Sequence, residues 1–303
     1  MQTLLAVALL ASIDATTATR AFAELEAMCK ADNGRLWGRS VCGPVVFADR
    51  NTREAMTADG PATIPDSIGI ANTAVDWNGQ RWTMVMWPLP ESTISRRVLL
   101  AHESFHRIQQ DLALPNANPA NAHLDSADAR YWLRLEFRAL ARALAERDQS
   151  ALADALAFRE KRRELFGNAR EEERQLELNE GLSEHTGYAL AVPHLAERIA
   201  PLVRRLASAD KTERFSRSFA YTTGPAYGAL IEMRDPRWTR KVKATDDLGR
   251  LAKRAWNIVT TPLRPERYDG AAIRADEDAR AETKRSMYAA MQARYLDGPV
   301  VVI

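Results

Sequence analysis

The chain has 303 residues, 46% of them hydrophobic, enough for a sizeable core in one large domain or two smaller ones. Lys and Arg number 42 against 40 Asp and Glu, and the net charge of +2 points neither to nucleic acid nor to an anionic membrane surface. No run of about eighteen apolar residues exists, so no integral membrane segment is expected.

The apolar run Leu4–Ile13 precedes the small residues Ala15–Thr19. Its length suits a secretory signal, although Met1-Gln2-Thr3 has no basic side chain and Asp14 interrupts the flank. Residues 1–20 therefore read as a signal peptide of a periplasmic or extracellular protein, or as an apolar N-terminal helix of a cytoplasmic one. Cys29 and Cys42 follow the same alternative: paired across a small loop if the chain is exported, buried thiols if it is not.

Residues 17–31 are expected to form a short amphipathic helix with Phe22, Leu25 and Met28 on one side. Residues 36–49 are β-prone, and Asp59-Gly60-Pro61 signals a turn. The clearest hairpin is Ala74–Trp77, Asn78-Gly79 and Gln80–Trp87, because Asn-Gly favours a type I′ turn. After Pro88-Leu89-Pro90 the pattern turns helical. Ile94, Val98, Leu99, Phe105 and Leu112 supply the apolar part of one helix, which Pro115 stops. Further helices are expected over 125–147, 150–166, 171–190, 195–208, 225–233, 245–257 and 272–295, and the basic run Arg159–Arg163 reads as solvent-exposed helix turns. The β-prone end Gly298–Ile303 would pair with the sheet or continue into a longer chain. The whole reads as α+β, with a small antiparallel sheet in the N-terminal third and a mostly helical remainder. Residues 21–303 read as one domain, with a sheet-rich lobe at 21–90 and a helical lobe at 91–303.

The chemistry-bearing motif is His102-Glu103-Ser104-Phe105-His106, the HExxH pattern, inside the expected helix. Two imidazoles four positions apart share a helix face and reach one metal ion, and the intervening glutamate can hold a water beside it. A chance match is expected on the order of once in a hundred such chains. Zinc suits imidazole ligands better than calcium or magnesium does. A catalytic zinc takes three protein ligands, so a third is required. Gln109 and Leu112 stand where a metzincin needs glycine and histidine, which excludes that class. His123, His185 and His194 sit in no ligand-like spacing.

Leu178-Asn179-Glu180-Gly181-Leu182-Ser183-Glu184 resembles the second zinc-binding helix of the gluzincin metallopeptidases. It is similar to Asn-Glu-Gly of the alanyl-aminopeptidases and to Asn-Glu-Ala-x-x-Asp of the thermolysin-like peptidases. The resemblance implies a zincin-like domain, Glu180 as the third ligand, and Glu184 as a carboxylate behind a ligand histidine. The i,i+4 spacing of Glu180 and Glu184 is independently compatible with those roles, since both fall on one face. The plainer reading makes them surface acids of a charge-rich helix that also carries Glu171, Glu172, Glu173 and Glu177. The sequence departs from these families in the 73 residues that separate His106 from Glu180, a longer interval whose insertion is mostly the helices expected within 125–166, and in lacking the Gly-x-Met-Glu-Asn motif of the aminopeptidases. Gluzincins also place a Tyr or His after the third ligand to bind the oxyanion. Tyr221, before an expected helix start at Gly224-Pro225, is the candidate, with Tyr227 as its backup; packing at a loop–helix junction is the alternative for Tyr221. Glu136, on the edge of an apolar face with Leu133 and Phe137, reads as a helix-surface acid, with a buried acid near the site as the alternative.

The expectation is a zinc metallopeptidase acting on a peptide or protein, with Zn2+ on His102, His106 and Glu180 and Glu103 as general base. The strand Thr83–Trp87 could lend its edge to an extended substrate. The alternative is a non-catalytic zinc-containing domain that binds peptides or serves a structural role.

Overall fold

The computed structural model describes residues 13–259 and 261–298; the expected signal-like run through Ser12 and the β-prone end after Gly298 lie outside them. Mixed α and β structure follows in chain order: α1 (Ala15–Asp32), then β1 (Val45–Asp49), β2 (Glu54–Thr57), β3 (Gly60–Thr63), β4 (Thr73–Trp77) and β5 (Gln80–Trp87). The helices α2 (Thr93–Ile108), α3 (Ala127–Glu146), α4 (Gln149–Leu165) and α5 (Ala169–Leu176) come next. A π-helical turn, Glu177–Gly181, leads into α6 (Leu182–Ala191) and α7 (Leu195–Ala209). The remaining helices are α8 (Ala220–Glu232), α9 (Leu248–Ala255) and α10 (Gly270–Tyr295).

Two compact units emerge, and their bounds differ from the break expected near residue 90. The first comprises Met1–Asn116, Leu178–Arg198 and Arg237–Thr245; the second comprises Ala117–Glu177, Ile199–Pro236 and Asp246–Ile303. Helix α2 groups with the sheet because it packs on β4 and β5, and α6 joins them by packing on α2.

In the first unit five strands form one sheet in the order β3-β2-β1-β5-β4. β4 and β5 form the expected hairpin, and Asn78 and Gly79 take the positive φ values, 48° and 76°, that a type I′ turn requires. The sheet is mixed rather than antiparallel. The chain leaves β3 at one edge, crosses to the other for β4 and turns back, so β5 lies parallel to β1. This also corrects the expectation for Thr83–Trp87: β5 pairs on both sides, with β1 and β4, and has no free edge for a substrate. Only Val45–Asp49 of the β-prone stretch 36–49 is a strand. Alternation along β1 sends Val46 and Ala48 into a cluster with Trp77, Trp82 and Met84. Phe47, on the opposite face, stacks on Phe22 of α1 with ring centroids 4.4 Å apart. Asp14 caps α1 by accepting from the Thr17 amide, and Ala18 is fully buried. Cys29 and Cys42 form a disulfide with their Cα atoms 5.7 Å apart.

The second unit is helical. α3 packs against α4, α8 and α10. The basic run on α4 is not solvent-exposed: Arg159, Arg162 and Arg163 are buried, as are Glu136 on α3, Glu173 on α5 and Glu177. Arg162 makes a bidentate pair with Glu173, at 2.7 and 2.8 Å, and reaches Glu136 at 2.5 Å. Arg159 pairs with Glu177 at 2.9 Å and Glu136 at 3.2 Å, and Arg163 pairs with Glu173 and with Asp247, both at 2.8 Å. The charges face one another inside the helix packing, so a pattern that usually marks a wetted face here marks a core.

Candidate metal centre

Helix α2 begins at Ser92, whose hydroxyl accepts the Ser95 amide, and its apolar side seats it on the sheet. Its packing on α6 is fixed by small residues and one aromatic. Trp37 tilts against Phe105 of α2, centroids 4.8 Å apart, and donates its indole N–H to Thr186 Oγ1 of α6 at 3.0 Å. At Gly187 the two helices come so close that an added Cβ would lie 2.7 Å from the Val98 carbonyl oxygen. This approach carries the π-helical turn and the first turn of α6 to His102 and His106.

Three ligating atoms converge there. His102 Nε2 and His106 Nε2 are 3.1 Å apart, and Glu180 Oε2 lies 3.3 Å from the first and 3.6 Å from the second. Tetrahedral ligands at zinc bond lengths of about 2.0–2.1 Å stand about 3.3 Å from one another. The triangle fits that ion. His102, His106 and Glu180 are also the His, Cys, Asp and Glu side chains that group closely enough to hold a metal among the described residues.

The outer partners are as specific. His102 Nδ1 is 2.8 Å from Glu184 Oε2, so the ring is held between two carboxylates. His106 Nδ1 is 2.8 Å from Gln109 Oε1. Burial works against a charged His102, but the hydrogen bonds to Glu180 and Glu184 and the charge of Glu103 outweigh it and hold the imidazole up to about 10. A proton and a metal ion therefore compete for the same nitrogen. Glu103 Oε1 stands 4.0 Å from His102 Nε2, and Glu103 Oε2 is buried with no hydrogen-bond partner from the protein. Burial raises the Glu103 carboxyl above its ordinary value, against the pull of His102 and His106. A buried carboxylate with a vacant acceptor beside a ligand triangle is equipped to hold a water and take its proton.

The other expected residues fall elsewhere. Glu180 and Glu184 are buried rather than surface acids. Tyr221 is in the second unit, inside α8 rather than ahead of it, and accepts a hydrogen bond from Arg217 Nη2 at 3.3 Å. The Gly-Pro pair misplaces that helix start: Pro225 sits within α8, where its missing N–H removes one backbone bond without ending the helix. Tyr227 donates its hydroxyl to Glu136 Oε1 at 2.7 Å inside the buried charge cluster. His123 pairs with Glu173 at 3.0 Å in that same unit. His185 lies against Trp238, centroids 5.1 Å apart, and His194 is exposed. A cavity of about 640 Å³ in the helical unit, between residues of α4 and α9 such as Leu156 and Lys253, contains none of the metal-site residues.

Sequence reading missed Gln109 as a partner of His106. The signal was available: position i+3 from His106 falls on the same helix face. The chain matches no protein-family model, and comparison with curated proteins and with solved structures finds no match.

Proposed function

We propose that the chain is a zinc-dependent metallopeptidase with a gluzincin-like site in a zincin-like domain. The observation that carries this reading is the triangle of His102 Nε2, His106 Nε2 and Glu180 Oε2, with sides of 3.1, 3.3 and 3.6 Å. His102, His106 and Glu180 would hold the ion, the three protein ligands that a catalytic zinc takes. Imidazole ligands favour zinc over the hard oxygen-seeking cations. When bound, zinc would supply a Lewis acid able to polarise a carbonyl and lower the pKa of water towards about 7.

The chain's own residues supply the rest. Glu184 orients His102 and strengthens it as a donor. Glu103 accepts a proton from the attacking water and returns it to the leaving amine, the step that distinguishes a peptidase from a site that merely holds metal. A structural zinc site needs no buried carboxylate with a vacant oxygen, which favours turnover over a non-catalytic domain. The paired Cys29 and Cys42 support an oxidising compartment, periplasmic or extracellular, as the working location.

Metal analysis and peptide-library cleavage test this together. Purified protein is expected to carry about one zinc per chain, with tight binding lost in His102→Ala and His106→Ala. Chelator-sensitive cleavage is expected in the wild type, and Glu103→Gln should keep the zinc while cleavage falls by about 10²–10⁴-fold. A zinc-free wild type removes the metal reading, and undiminished cleavage by Glu103→Gln removes the base.

A further inference from the structure

Gln109 is buried just beyond the end of α2, and its hydrogen bonds run in one direction. One end of its amide faces Asn179 Oδ1 at 3.2 Å and the carbonyl oxygen of Pro115. A carbonyl oxygen only accepts, so this end is the NH2 group and the opposite end is Oε1. Oε1 lies 2.8 Å from His106 Nδ1, and only a protonated Nδ1 can donate to it. A neutral His106 protonated at Nδ1 has its lone pair on Nε2, the atom that faces His102 and Glu180. Asn179, its Oδ1 taken up by Gln109, turns its own NH2 to Glu180 Oε1 at 3.3 Å. Ser183 Oγ is a weaker neighbour of His106 Nδ1, at 3.4 Å, and donates its proton to the Asn179 carbonyl at 2.6 Å.

We propose that Gln109 is a positioning residue that sets His106 in its Nδ1–H tautomer and, through Asn179, ties the ring to the carboxylate of Glu180. The donors run from His106 to Gln109 to Asn179 to Glu180, each bond polarising the next, and the chain ends on an anion that is itself one of the three converging groups. One neutral amide thus orients two of the three ligands. His102 uses a different device, the direct carboxylate of Glu184. The inference rests on the metal-binding reading only for the zinc measurement below.

The test is the histidine tautomer in the metal-free full chain, read by long-range 1H–15N NMR at about pH 11, above the value of about 10 to which His102 is held, so that His102 Nε2 carries no proton to donate to His106 Nε2. Wild-type His106 is expected as Nδ1–H. Gln109→Leu should shift it towards Nε2–H, whereas Gln109→Glu, which keeps the acceptor, should hold Nδ1–H. In titrations of Zn2+ against a chromophoric chelator, Gln109→Leu should bind about 10–100-fold more weakly. Gln109→Glu should recover only part of that loss, since it has no N–H for Asn179 or Pro115. Nε2–H in the wild type, or an unchanged tautomer in Gln109→Leu, overturns the assignment, even where that variant also loses stability. If wild-type protein fails to bind zinc while the tautomers respond as stated, the positioning role stands and the metal reading falls.

Discussion

At the residue scale, the sequence displayed what depends on local spacing. His102, Glu103 and His106 were legible because a helix converts a four-residue interval into one face, and Glu180 because its flanking Asn179 and Gly181 form a recognisable pattern. Gln109 stands out in the sequence only as a residue that is not glycine; its partners Asn179 and Pro115 come together through folding, which no local pattern reports. Glu184 is the residue whose role is easiest to isolate. Its Oε2 takes the Nδ1–H of His102 at 2.8 Å in a buried setting, so replacing it by Gln keeps the shape and removes the charge. Zinc affinity in Glu184→Gln, measured by chelator competition, is expected to fall by about 10–100-fold. An affinity equal to wild type would show that the carboxylate adds nothing to His102 as a ligand.

At the element scale, periodicity located most helices and the Asn78-Gly79 hairpin, since those depend on neighbours in sequence. Sheet order was not legible. The same alternating pattern suits an edge strand and a central one, and β5 proved central. The π-helical turn also escaped the pattern, because a single turn closed by i→i+5 bonds is too short to impose a periodicity of its own on the sequence. The approach of α2 to α6 is set by Gly187, where an added methyl would meet the Val98 carbonyl oxygen at 2.7 Å and Val98 Cγ1 at 2.9 Å. A side chain can turn aside, but that carbonyl belongs to the backbone of α2. Gly187→Ala is expected to cost about 1–3 kcal/mol in urea unfolding and to weaken zinc binding, because α6 carries Glu184 and follows Glu180 directly. Stability lost with zinc affinity unchanged would mean that the helices part without disturbing the ligands.

At the scale of the whole molecule, a net charge of +2 conceals a dense internal arrangement. Counting charges cannot distinguish Arg162, fully buried against Glu136 and Glu173, from an arginine in water, so the helical unit's core was the least legible part of the fold. Its pH response follows from the shifts. Burial pushes the carboxyls of Glu173 and Asp247 up, but Arg162 and Arg163 on the first, and Arg159 and Arg163 on the second, pull harder and hold both below their ordinary values. For a lowered carboxyl the stabilisation is complete above its unfolded value, about 4, and disappears as pH falls through the folded one. Glu177 has the opposite sign, since burial raises it and protonation relieves that cost, so it blunts the slope set by the other two. Urea unfolding between about pH 7 and pH 3 should therefore show the helical unit losing stability below about pH 5. Asp247→Asn isolates one contributor, because asparagine retains the cap on the Arg250 amide at 2.9 Å while the ion pair with Arg163 at 2.8 Å is lost. That variant should be less stable at neutral pH by about 3–5 kcal/mol, the range for breaking a buried pair, with a shallower acid slope. An acid slope matching the wild type would remove Asp247 from the pH response and leave Glu173 to account for it.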